Sequence, residues 1–228
     1  MAQKNIIILG TWNTGTNLIS NVFDNNRLIN LKTNEVLNIC NDSNKIWKHN
    51  PKFALIEELA KDNNNIIVIM YRNIYSWLNS MKKASYELHF ENFTSIATIK
   101  NRRHDIDITF RNIIHVYNHY YHNYMKLTIQ YPNVVFFDYR KIINEDTCFE
   151  YMNFKLSRLN LIMTTKYKVI QQLIQPAKKH GAPVNNSSEA VDKYGKTIFL
   201  MRIEVKKCNM TSIIDENIID YFENDYII

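Results

Sequence analysis

The chain has 228 residues and a mass of 27.2 kDa, enough for one well-buried core and too little for two comfortable domains. With 46% hydrophobic and 22% charged residues the composition is globular, which excludes disorder on a large scale. A net charge of +6 leans toward anionic partners. Its Lys and Arg are spread along the chain, though, and candidates such as Lys100, Arg102 and Arg103 come with no nucleic-acid fold signature, so no nucleic-acid partner is expected.

The first apolar run, Ile6-Ile7-Ile8-Leu9, is a short β-branched stretch ending in Gly10, which suits a buried parallel strand. It is far shorter than a membrane span and lacks the flanks of a secretory signal, so a cytoplasmic protein without a membrane span is expected. Leu18, Ile19, Val22 and Phe23 then fall at helical spacing, predicting a helix from about Gly15 to Asp24. Short strands are read at Val36–Cys40 and Lys45–Lys48, and a helix between Pro51 and Lys61 with Pro near its first turn.

Ile66–Tyr71 is the clearest strand, followed by a helix over Ile74–Lys83. Ile106–Gln130 reads as one long helix rich in Tyr and His, and Val134–Asp138 as another buried strand. A basic loop lies around Lys178–Ser188, and Phe199–Val205 reads as a further strand. The three cysteines, Cys40, Cys148 and Cys208, are too widely spaced for a disulfide framework or a metal motif.

Strands alternating with helices predict an α/β fold, a three-layer α/β/α arrangement with a central parallel sheet, in a single domain spanning 1–228. Ligands of such sheets sit at the carboxyl ends of the strands, so the residues just after Leu9, Met70 and Phe137 should lie together.

The chain has four glycines, and Gly10 and Gly15 bracket a strand-to-helix turn. Backbone N–H groups at such a turn, with the positive end of the helix dipole, make a site for phosphate or sulfate. Thr11, Thr14, Thr16 and Asn17 add side-chain donors. The nucleoside-triphosphatase loop, G-x-x-x-x-G-K-S/T, has the same two glycines, but Thr16 stands at its Lys and Asn17 at its magnesium-binding hydroxyl. Phosphoryl transfer needs that Lys and metal, which speaks against a nucleotide kinase. A sulfuryl group carries less charge, so its transfer proceeds on backbone donors and basic side chains.

The stretch Asn13-Thr14-Gly15-Thr16-Asn17 resembles the first signature of the PAPS-dependent sulfotransferases, in which a basic residue precedes Ser or Thr, Gly, Thr and then Thr or Asn. Tyr71-Arg72-Asn73 followed by Ser80, eight positions after the Arg, is similar to their second signature. Trp47-Lys48-His49-Asn50-Pro51 is similar to their K-T-H-x-P stretch. The resemblance implies a P-loop-like sulfotransferase fold and 3′-phosphoadenosine 5′-phosphosulfate (PAPS) as cosubstrate, with no metal. It implies that Asn13, Thr14, Gly15, Thr16 and Asn17 hold the phosphosulfate and that Arg72 and Ser80 grip the 3′-phosphate. His49 would take the proton of a hydroxyl or amine acceptor, a small molecule or glycan. Asn13 replaces the family's basic residue, and Lys48 is the nearest candidate to supply that charge.

Two further readings stay open. One is a non-catalytic nucleotide-binding module of the same fold, favoured by Asn13. The other is a metal-binding helix built on His115, His119 and His122, which share one helical face and whose bland alternative is an ordinary half-buried helix. The loop Lys178–Val184 loosely resembles the late basic loop of the family, which implies that Lys178 or Lys179 contacts the 3′-phosphate.

Overall fold

A computed structural model describes residues 4–25, 31–33, 46–144, 147–159 and 188–224. The expected strand Val36–Cys40 and the basic loop Lys178–Val184 lie outside the described residues. Four parallel strands form the main sheet in the order β2-β1-β3-β7: β1 (Lys4–Gly10), β2 (Leu31–Thr33), β3 (Asn65–Tyr71) and β7 (Val134–Asp138). The register pairs Gly10 with Met70 and Tyr71 with Asp138, so the three strands end side by side.

The continuous apolar runs of β1, β3 and β7 follow from burial on both faces. Alternate residues enter two different cores. Ile7, Leu9, Ile67, Ile69, Tyr71, Val134 and Phe136 face one cluster, with Ile56 of α2 (Phe53–Lys61), Trp77 of α3 (Ile74–Lys83) and the tyrosines of α4 (Ile113–Gln130). Ile6, Ile8, Ile66, Val68, Met70, Val135 and Phe137 face the other. Leu18 and Ile19 of α1 (Thr16–Asn25) close that side, with Ile142 of the short α5 (Tyr139–Ile142) and Tyr151, Met152 and Leu156 of α6 (Cys148–Ser157).

Three expected elements differ. The predicted helix Ile106–Gln130 is two elements. Ile106, Ile108 and Phe110 alternate with Asp107 and Thr109, a period of two, and form strand β6 (Ile106–Phe110). It pairs antiparallel with β5 (Ala97–Asn101), which pairs with β4 (Leu88–His89), a second sheet that the sequence reading missed. Asn112 then caps α4 by accepting the His115 N–H at 3.1 Å, which fixes the helix start at Ile113.

Phe199–Val205, expected as a strand, lies inside helix α7 (Ser188–Lys207). Its apolar residues fall on two opposite faces of the helix: Tyr194, Met201 and Val205 are buried, whereas Phe199, Leu200 and Ile203 are exposed. The chain ends its described part with α8 (Glu216–Glu223), whose Phe222 packs on Tyr71. Of the strand expected at Lys45–Lys48, residues 46–48 form no strand, because the chain turns there, with the Asn50 N–H donating to Trp47 O at 2.8 Å.

Candidate functional site

The loop after β1 is shaped by what its glycines permit. Gly15 has φ +91°, and a Cβ there would lie 2.9 Å from the Tyr139 ring. A Cβ on Gly10 would lie 2.6 Å from Thr14 Oγ1. The first backbone bond of α1 runs from the Ile19 N–H to Gly15 O at 3.0 Å. The N–H groups of Thr16, Asn17 and Leu18 therefore have no acceptor within the helix and carry its positive pole at the loop.

Arg72 and Lys48 reach this loop from two sides. Arg72, the first residue past β3, donates from Nη1 to Asn13 O at 2.7 Å and from Nε to Ser76 Oγ at 2.9 Å. Its guanidinium lies over the Tyr139 ring, 4.5 Å from the centroid. Lys48 is largely buried and donates from Nζ to Asn17 Oδ1. Its carbonyl also accepts the Gly10 N–H at 3.2 Å, so residues 47–50 lie across the end of β1.

His49 is buried beside Lys48 and stacks on Trp12, with ring centroids 5.1 Å apart. Its Nδ1 lies 2.6 Å from Gly10 O. A carbonyl only accepts, so Nδ1 carries the proton and Nε2 is the basic nitrogen. Burial, reinforced by the Lys48 charge, lowers its pKa from 6.5 to about 3, leaving a neutral imidazole.

Asn13 lies within the loop, between the two glycines. It adopts φ 59°, a left-handed conformation that Asn tolerates well. Its Nδ2 donates to Ala84 O at 2.8 Å, tying the loop to the end of α3. The Thr14 hydroxyl is buried and donates to Thr11 O at 2.7 Å inside the loop. Thr16 is buried and Asn17 exposed at the helix start. The serine that meets Arg72 is Ser76, whereas Ser80 lies one turn further along, half-buried, with its carbonyl accepting the Ala84 N–H.

Several residues that sequence reasoning missed build the frame. The hydroxyls of α4 satisfy carbonyls where strands and loops end: Tyr117 donates to Arg72 O at 2.8 Å, Tyr121 to Met70 O at 3.0 Å and Tyr120 to His49 O. Trp77 Nε1 donates to Trp12 O at 2.8 Å. The signal was the run of tyrosines at positions 117, 120, 121 and 124, which a helix puts on one face. For Tyr139 the signal was its place immediately after the buried strand Val134–Asp138.

Across the end of β7, Asp138 accepts the Arg140 N–H at 2.9 Å and pairs with its guanidinium at 3.3 Å. Burial nevertheless raises the Asp138 pKa from 3.8 to about 6. Glu223 of α8 accepts from Tyr71 at 2.9 Å and from Asn73 Nδ2 at 2.6 Å.

The three histidines of α4 take separate partners. His115 faces Asn112, His119 packs against Phe53 and Phe110, and His122 Nε2 lies 2.6 Å from Asp215 Oδ2. Among the described residues no group of three or more His, Cys, Asp or Glu could hold a metal ion. No family model, curated protein or solved structure matches this chain.

Proposed function

We propose that the chain is a PAPS-dependent sulfotransferase of three-layer α/β/α architecture, whose P-loop-like loop Gly10–Asn17 receives the phosphosulfate. The observation that carries this reading is the bracketing of one strand-to-helix loop by two cations, Arg72 on Asn13 and Lys48 on Asn17. Lys48 sits where a developing charge on the leaving phosphate would be stabilised, beside the open N–H groups of α1. It supplies the charge that Asn13 lacks. Arg72 Nη2, which has no acceptor among the described residues, would face the 3′-phosphate from its aromatic seat.

In the proposed reaction the acceptor oxygen or nitrogen forms a bond to sulfur as the bridging S–O bond breaks. Adenosine 3′,5′-bisphosphate leaves with the bonding pair. The acceptor proton passes to His49 Nε2 and on to water. A base whose conjugate acid has a pKa of about 3 takes that proton only late, after the new bond has made the acceptor acidic. Positioning and charge stabilisation then account for most of the rate.

A second reading, a nucleotide-binding module without turnover, is favoured by the commitment of the Asn13 amide to Ala84 O. Calorimetry with adenosine 3′,5′-bisphosphate beside ATP and magnesium tests both. Binding of the bisphosphate alone is expected, and its absence would sink both readings. Transfer of label from PAPS to a panel of hydroxyl and amine acceptors then separates them.

A further inference from the structure

Helix α7 has an inner face that packs on the body of the protein and an outer face in water. Tyr194, Met201 and Val205 line the inner face. On the outer face, Phe199 and Leu200 are 65% and 64% exposed, and Ile203 is 41% exposed. Lys193, Lys196, Lys206 and Lys207 are exposed beside them. Among the described residues no carboxylate lies within ion-pair distance of these four lysines. Glu204 stands at the edge of the face and is held by Lys82 at 2.6 Å. Asp192 is the one acidic side chain described as exposed on α7.

With 3.6 residues per turn, Phe199, Ile203, Lys196 and Lys207 fall within about 80° of arc. Apolar anchors interleaved with lysines are unlike the centre of a protein–protein contact, which is depleted of Lys. They suit a phospholipid boundary, where the apolar side chains enter and the long lysine stems lie along them with the ammonium groups at the headgroups. No described helix is long and apolar enough to cross a membrane, so such a helix would lie along the surface. The chain's charge of +6 adds long-range attraction to an anionic leaflet.

We infer that the outer face of α7 docks on an anionic phospholipid surface, with Phe199, Leu200 and Ile203 inserted and the flanking lysines on acidic headgroups. The inference rests on α7 alone and is independent of sulfuryl transfer.

Flotation of the full chain tests it, with vesicles of phosphatidylcholine alone and of phosphatidylcholine mixed with phosphatidylserine. Binding to the mixed vesicles only, released by high salt, is expected. Phe199→Ser with Ile203→Ser, and separately Lys196→Glu with Lys207→Glu, should each lower partitioning roughly tenfold or more. Circular dichroism should stay unchanged in both, since all four side chains point into water. Equal binding to neutral vesicles, or none to either, would overturn the inference. So would a dimer in gel filtration that Phe199→Ser with Ile203→Ser dissolves without any vesicle binding, which would assign the face to a second copy of the chain.

Discussion

Arg72 Nη1 donates to the carbonyl of Asn13 at 2.7 Å, which joins the end of β3 to the turn that follows β1. The bond explains why the loop holds a left-handed residue at its tip: a carbonyl aimed at a guanidinium on the neighbouring strand requires the backbone to reverse there. Tyr139, beneath both the guanidinium and Gly15, fills the remaining space. The loop is thus shaped by β3 and β7 as much as by its own residues.

Arg72→Lys keeps the charge and loses the fork. A lysine ammonium has no planar face for Tyr139 and cannot serve Asn13 O and Ser76 Oγ in the same geometry. We expect a loss of about 1–2 kcal/mol in urea unfolding, discounted because the side chain is only partly buried. Affinity for adenosine 3′,5′-bisphosphate should fall by roughly tenfold by calorimetry. An unchanged affinity would remove Arg72 from the proposed nucleotide site.

Asn13→Lys would supply the basic residue of the sulfotransferase signature that the loop resembles, yet it should not make the loop basic. The substitution removes the bond to Ala84 O and places a long side chain at φ 59°. A destabilisation of about 1–2 kcal/mol is expected, with no gain in bisphosphate affinity. Asn13→Gly, which accepts the conformation, should cost less than Asn13→Lys. A variant Asn13→Lys that binds more tightly would mean that the tip of the loop turns toward the ligand.

Strands β1, β3 and β7 were legible in the sequence, and the three-residue β2 was not, because continuous β-branched runs such as Ile66–Ile69 suit few environments other than a parallel sheet buried on both sides. The loop was legible for the same local reason, a glycine at each end of one turn. The hairpin of β5 and β6 was not, since Ile106–Phe110 adjoins a true helix and its alternation covers only five residues. The bond from Arg72 to Ser76 was not legible, because spacing along a motif does not say which side chain an arginine reaches. The environment of His49 was also hidden: whether a histidine before a helix is exposed or stacked on Trp12 depends on residues far apart in the chain.

Gly15→Ala tests the shape of the loop without touching charge. Alanine is strained at φ +91°, and its Cβ would meet the Tyr139 ring at 2.9 Å. We expect about 2 kcal/mol or more of destabilisation. Pairing it with Tyr139→Ala, which vacates the ring position, should recover part of the packing cost and none of the backbone strain. Full recovery would show that the left-handed conformation imposes no strain on alanine.

The pH dependence of stability follows from His49 and Asp138, whose shifts act in opposite senses. Between pH 6.5 and about 3 the unfolded chain protonates His49 and the folded chain does not, so stability falls as the pH is lowered through that window. Between pH 3.8 and about 6 the folded chain holds a proton on Asp138 that the unfolded chain has released. That contribution is complete below pH 3.8 and is lost as the pH rises through 6, so it opposes His49 where the windows overlap. Asp138→Asn keeps a carbonyl oxygen for the Arg140 N–H and cannot ionise, so urea unfolding should depend more steeply on pH between 4 and 6 than in the wild type. His49→Asn keeps a donor for Gly10 O, and in it the slope over the same window should reverse, with stability rising toward acid. Each group can contribute at most about 1.4 kcal/mol per pH unit, so the two variants should separate clearly across two units. Parallel profiles for wild type and both variants would show that neither group is buried as described.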